Sequence, residues 1–167
     1  RSMTHSIVEN VKTKDDQGET ALKTITFNSV QEKLRKEFAQ IDAEKHGNAT
    51  EKRAAWLRQK RKQEAVEGAG ENISAAITDN MLIDETVTSF LDPKSNTASQ
   101  HALIIGIRRA TELAAASDTK RAQLLYARYK ETLLTLGKNE APQVRGALTK
   151  TFCRWRRLGV VDDKQLA

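Results

Sequence analysis

The apolar residues in the second half of the chain recur with the period of an α-helix. Over residues 100–116 they surround the helix almost completely, which is typical of a helix at the centre of a bundle. Single apolar stripes then predict helices over 119–136 and 142–158, and Gly159 is expected to end the last one. These matched stripes predict a compact three-helix core over residues 97–167.

A narrower stripe predicts a first helix in the first half of the chain. Ser29 and Glu32 have the spacing of a capping box, so this helix is expected to begin at Ser29. Its stripe recurs every three or four residues and consists of Val30, Leu34, Phe38 and Ile41. Gly47 interrupts the pattern, and the sequence predicts that the helix is followed by a second one.

The second helix is rich in charged residues and poor in apolar ones. A capping box of Asn48 with Glu51 predicts its start, and the Gly68-Ala69-Gly70 sequence is expected to end it. An acidic helical segment over residues 72–91 follows, with a change of stripe near Ile83 that predicts a break. The pattern thus predicts an N-terminal helical hairpin over residues 29–92.

The fold class expected from these patterns is all-α, with three parts. Residues 1–28 are polar and aperiodic, which predicts a flexible N-terminal arm. The helical hairpin over 29–92 follows, with a basic and an acidic segment. The three-helix core over 97–167 completes the chain.

The composition excludes several classes of protein. The 167 residues include no apolar run of 18 or more, so a membrane span is not expected. The first thirty residues have no apolar core of the kind that a secretory signal requires. Cys153 is the one cysteine, which excludes a disulfide scaffold. These features favour an intracellular protein in a reducing compartment, cytoplasmic or associated with a nucleoid or virion.

The candidates for catalysis and metal binding are weak. The three histidines lack the spacing of metal ligands, and no glycine-rich phosphate loop is present. Cys153 is expected on the polar side of the last helix near Lys150 and Arg154, without a positioned base. We therefore expect neither enzymatic activity nor a metal or cofactor.

The charge is more informative, because its sign changes along the chain. The net charge is +6, and the segment 51–70 is predominantly basic. Residues 71–92 contain acidic but no basic residues, and the last helix is basic again. Lysine and arginine attract phosphate, and arginine matches two phosphate oxygens at once.

The leading prediction is non-enzymatic binding of DNA or RNA, mainly through phosphate contacts. Trp56 stands in the first basic segment and is the candidate for base stacking, whereas Trp155 lies on an apolar stripe and is expected in the core. Four to six phosphate contacts are expected if the clusters share a face. The candidate phosphate-binding residues are Lys52, Arg53, Arg58, Lys60, Arg61 and Lys62 in the first cluster, and Arg145, Lys150, Arg154, Arg156 and Arg157 in the second.

Two alternatives compete with this prediction. A helical assembly or adaptor protein, such as a coat, scaffold or secretion-related subunit, would pair acidic with basic segments between copies or with a partner protein. Exposure of the Val30–Ile41 stripe, together with Trp56 and Leu57, would favour that alternative. Association of the last helix with a membrane surface ranks lower, because a neighbouring helix requires the same apolar stripe.

Overall fold

The computed structural model describes residues 25–139 and 141–161. These residues form six helices and contain no strand. The all-α class predicted from the sequence is therefore confirmed. In chain order the helices are α1 (Phe27–Ala43), α2 (Glu51–Thr78), α3 (Asp84–Phe90), α4 (Thr97–Ser117), α5 (Thr119–Leu136) and α6 (Pro142–Leu158).

Helix α4 lies at the centre of the bundle, as its nearly continuous apolar surface predicts. It contacts each of the other five helices. One continuous hydrophobic core includes buried residues of both halves of the chain, among them Leu34, Ile73 and Phe90 from the first half and Leu103 and Leu133 from the second. The division into a hairpin and a three-helix core stays a prediction, and the core extends across the boundary between them.

The C-terminal helices have nearly the expected bounds, because local signals specify their ends. The Asp118 carboxylate accepts a hydrogen bond from the Lys120 N–H at the start of α5. Pro142 occupies the first turn of α6, and Gly159 ends it with φ of 78°. Helix α4 begins three residues earlier than expected, since the Asn96 side chain accepts from the Ser99 N–H at 2.7 Å.

The two N-terminal caps predicted from the sequence are wrong. The hydroxyl of Thr26 caps α1 by accepting from the Ser29 N–H, and the Ser29 hydroxyl in turn accepts from the Thr26 N–H. Helix α2 begins at Glu51 after Thr50, which accepts from the Arg53 N–H at 3.1 Å. In each case a threonine provides the cap, Thr26 three residues before Ser29 and Thr50 two residues after Asn48.

Because α1 begins at Phe27, the last residues of the predicted N-terminal arm over 1–28 belong to the helix and its cap. Phe27 packs edge-on against Phe90, with ring centroids 5.1 Å apart, and Ile25 also contacts the core. Residues 25–28 therefore belong to the packed part of the chain, whereas the rest of the predicted arm, residues 1–24, lies outside the described residues.

Helix α2 continues through Gly68 and Gly70, although these glycines are expected to end it. An added Cβ at Gly70 would lie 2.7 Å from the Cβ of Ile105, and one at Gly106 would lie 2.7 Å from the Cβ of Ile73. Gly70 and Gly106 thus allow α2 and α4 to cross at close range. Packing against α4 outweighs the weak helix propensity of glycine.

The acidic segment is divided between two helices. Residues 72–78 form the last turns of α2, and Asn80 follows with φ of 60°. Helix α3 then begins at Asp84, next to the position where the change of stripe predicts a break. Leu82 and Phe90 anchor this segment in the core.

The α2–α4 crossing yields a stability prediction with a matched control on the same helix. Gly70→Ala should lower the free energy of unfolding by about 1–3 kcal/mol, because the new methyl group overlaps Ile105. Gly68→Ala should raise it by about 0.5–1 kcal/mol, because open space surrounds that position and alanine favours the helix. Urea unfolding of both variants measures the difference, and equal effects would contradict the close crossing.

Candidate functional site

An exposed tryptophan lies on the N-terminal half of α2 between cationic side chains. Trp56 is 51% exposed. The Arg53 guanidinium carbon lies 4.7 Å from its ring centroid, and the Lys60 Nζ lies 5.3 Å from it. Lys52, one turn before Trp56, is exposed as well. We name Lys52, Arg53, Trp56 and Lys60 the Trp56 surface.

The other basic residues of the first cluster bind acidic residues and a carbonyl at the α1–α2 connection. Arg58 donates to the Glu44 carbonyl at 3.1 Å and pairs with Glu51 at 3.3 Å. Arg61 forms an ion pair with the Glu44 carboxylate. Lys62 pairs with Asp42 at 2.7 Å and lies over the Phe38 ring. Arg58, Arg61 and Lys62 thus hold α1 to α2.

The second cluster is also partly engaged within the chain. Arg154 donates two hydrogen bonds to Glu112 of α4, at 2.8 and 3.1 Å, and these bonds raise the pKa of Arg154. Arg145 donates to the Asn139 carbonyl at 2.8 Å, and Arg156 also has an interaction partner. Lys150 and Arg157 are exposed.

A cleft of about 1030 Å³ brings part of both clusters together. Helices α2 and α6 form its walls, and α4 forms its floor. Lys60 and Lys62 line one wall and Lys150 lines the other, whereas the remaining predicted phosphate-binding residues lie outside it. We name this feature the α2–α6 cleft. Lys60 belongs to both the cleft and the Trp56 surface.

The floor of the cleft carries two residues that were not among the predicted site residues, His101 and Arg108. Burial is the main cause that lowers the pKa of His101. Glu67 opposes this decrease, whereas the charges of Arg108 and Lys150 add to it. The Arg108-Arg109 pair is the signal that could have identified this site, because it interrupts the apolar run of the central helix.

Two carboxylates of the acidic segment pair with arginines that belong to neither basic cluster. Glu71 lies 3.7 Å from Arg109 of α4, and Asp84 lies 3.4 Å from Arg128 of α5. The carboxylates that pair with the α2 cluster are Asp42 at the end of α1, Glu44 in the connection after it and Glu51 at the start of α2. Basic residues of both clusters are therefore paired within the chain, but their carboxylate partners lie outside the acidic segment over residues 71–92.

The two tryptophans have the environments expected from their positions in the pattern. Trp155 is fully buried and packs edge-on against Tyr126 and Phe152. Cys153, on the same helix, is exposed as predicted. The apolar stripe of α1 packs within its own chain, since Val30, Leu34 and Ile41 are buried.

The described parts of the chain contain neither a candidate metal site nor a helix able to cross a membrane. Over residues 25–139 and 141–161, no group of three or more His, Cys, Asp or Glu side chains is placed to hold a metal ion. Across the same ranges, each helix is too short or too polar to cross a membrane.

The sequence matches no protein-family model, and no curated protein or solved structure is significantly similar to the chain.

Proposed function

We propose that the chain is a non-enzymatic protein that binds single-stranded nucleic acid through the Trp56 surface. The observation that carries this proposal is the exposure of Trp56 between Arg53 and Lys60. A tryptophan ring stacks on any base, because every base has a π-face, and such stacking contributes about 1–3 kcal/mol per base. An exposed indole beside cations therefore suits a strand with unpaired bases.

The cations around Trp56 supply the phosphate contacts of the proposed site. Arg53 and Lys60 are exposed and have long side chains, so they can exchange the ring contact for a neighbouring phosphate by rotation. Phosphate contacts of this kind position the strand without selecting its sequence. The proposed binding is therefore tolerant of sequence.

The internal ion pairs reduce the number of phosphate contacts that we expect. Arg58, Arg61 and Lys62 connect α2 to acidic residues, and Arg154 is bound to Glu112. Lys52, Arg53 and Lys60 remain as the principal phosphate ligands. The proposal thus assigns about three phosphates to the site, rather than the four to six expected if both clusters acted together.

The assembly or adaptor alternative loses part of the surface that would favour it, since Val30, Leu34 and Ile41 are buried whereas Trp56 is exposed. The Val30–Ile41 stripe packs inside the chain, so it is not a free contact surface for a partner. Charge-complementary association between copies stays a prediction. Light-scattering mass at two salt concentrations tests it, since exposed ion pairs are screened over about 8 Å at physiological ionic strength.

The salt dependence of binding tests the proposed function. A fluorescein-labelled oligothymidylate should bind the full chain with log affinity that falls against log salt concentration with a slope of about −2, because each neutralised phosphate of a single strand contributes about −0.7. The double variant Arg53→Gln and Lys60→Gln should reduce the slope by about 1.4. Fluorescence anisotropy measures both slopes.

The control for this experiment removes the same charge elsewhere. Lys120→Gln with Arg121→Gln changes two exposed cations of α5 and should leave the slope within about 0.3 of the wild-type value. Equal slopes for the α2 and α5 double variants would contradict a phosphate site at the Trp56 surface.

A further inference from the structure

The α2–α6 cleft shares only Lys60 with the Trp56 surface, and its floor combines charge with apolar groups. We propose that this cleft binds a phosphate monoester of mononucleotide size, with the phosphate held between Arg108 and Lys150. The inference does not rest on strand binding at Trp56. It concerns a concave site, whereas the Trp56 surface is an exposed helix face.

Two cations on different helices define the proposed phosphate position. Both Arg108 of α4 and Lys150 of α6 line the cleft, and the charge of each lowers the pKa of His101, which lines the same cleft. Within the described part of the chain, the buried Nε of Arg108 lacks a hydrogen-bond acceptor. Among the same residues, no carboxylate pairs with Arg108 or Lys150, in contrast to Arg109 and Arg154 of the same helices.

A phosphate group forms stronger hydrogen bonds with these two cations than water does, because both partners are charged. The guanidinium of an arginine donates two parallel hydrogen bonds to phosphate oxygens, and lysine adds a point charge. His101 remains neutral near pH 7, because its pKa is lowered, and a neutral imidazole still provides one N–H donor. Arg108 and Lys150 therefore supply donors to the proposed phosphate position, whereas His101 lies about two turns before Arg108 on α4.

The rest of the cleft suits the body of a nucleotide. Phe38 and Ala98, which are only partly buried, provide apolar lining against which a planar base can pack. On the α2 wall, the carboxylates of Glu64 and Glu67 can accept hydrogen bonds from hydroxyl or amino groups. The volume of about 1030 Å³ is at the upper end for small-molecule sites, so a mononucleotide can enter.

The walls of the cleft are kept open by small residues. Gly146 and Ala147 of α6 and Gly68 of α2 are among the residues that line the cleft. A Cβ added at Gly146 would meet no atom within 4 Å, so a larger side chain there would extend into open space. Gly146→Leu adds a side chain at a position that lines the cleft and removes no charge, so we expect it to obstruct the cleft.

Isothermal titration calorimetry of the full chain tests the proposal, with adenosine 5′-monophosphate as the probe. The nucleotide should bind, adenosine should not bind detectably, and inorganic phosphate should bind more weakly than the nucleotide. Lys150→Gln should weaken nucleotide binding by roughly tenfold or more, since a charge-assisted contact is lost. Gly146→Leu should abolish it, while Lys138→Gln, an exposed lysine after α5, should leave it unchanged.

Two further measurements distinguish nucleotide binding in the α2–α6 cleft from strand binding at the Trp56 surface. Trp56→Ala should bind the nucleotide as the wild type does, so failure of one proposal leaves the other testable. A 5′-phosphorylated oligonucleotide that displaces the nucleotide, where a 5′-hydroxyl one does not, would identify a strand end as the source of the phosphate. Equal binding of nucleotide and adenosine, or binding unaffected by both Lys150→Gln and Gly146→Leu, would overturn the inference.

Discussion

Replacement of Trp155 by alanine should lower the free energy of unfolding by about 3–5 kcal/mol. The side chain is fully buried and contacts Tyr126 and Phe152 at ring-centroid distances of 5.8 and 6.1 Å. Its removal leaves a large cavity between α5 and α6 that the surrounding helices cannot fill completely. Urea unfolding followed by circular dichroism measures the loss.

Trp56 provides the matched control for this prediction. Because it is 51% exposed and its ring lies beside Arg53 and Lys60, Trp56→Ala should lower the free energy of unfolding by only about 0.5–1 kcal/mol. Similar losses for the two variants would show that the packing described for one of these tryptophans is wrong.

The same Trp56→Ala variant should have a large effect on binding. Loss of one stacked base is expected to reduce affinity for a single-stranded oligonucleotide by about 5- to 150-fold, equivalent to about 1–3 kcal/mol. Affinity for a duplex of the same length should change by less than about twofold, because paired bases offer no free face to the indole. Fluorescence anisotropy at one fixed salt concentration measures both affinities.

A conservative variant separates stacking from a general change at the surface. Trp56→Phe keeps an aromatic face and should retain most of the affinity, whereas Trp56→Leu keeps apolar area alone and should behave as the alanine variant does. Equal loss in the phenylalanine and leucine variants would contradict a stacking role.

The sequence predicted the second half of the fold well, because its signals are local. Asp118 at one helix start, Pro142 at another and Gly159 at an end each act within a few residues of the chain. The apolar surface of α4 similarly predicted its central position. These helix ends could be predicted from the sequence alone, because the residues that determine them lie within a few positions.

Some errors arose where distant contacts contribute to the structure, whereas the missed caps Thr26 and Thr50 are local signals present in the sequence. The extension of α2 through Gly70 depends on the approach of Ile105, which lies 35 positions further along the chain. The start of α1 at Phe27 depends on packing against Phe90. Periodicity within one segment contains no information about these partners.

At the candidate site, too, some features follow from the local sequence pattern and others depend on residues that are distant in the sequence. The exposure of Trp56 and the burial of Trp155 follow from their positions relative to apolar stripes. The engagement of Arg61 with Glu44 and of Arg154 with Glu112 requires the tertiary fold. The α2–α6 cleft likewise exists only after three helices have packed, which explains why Arg108 was missed.

The intrinsic emission of tryptophan tests the central proposal most directly. In the wild-type chain Trp155 is buried, so a change in emission on addition of an unlabelled oligothymidylate reports on Trp56. The proposed stacking predicts saturable quenching with a dissociation constant below about 100 μM at physiological salt, the weak end of non-specific binding. Emission that stays unchanged up to that concentration would contradict the assignment of Trp56 as a base-stacking residue.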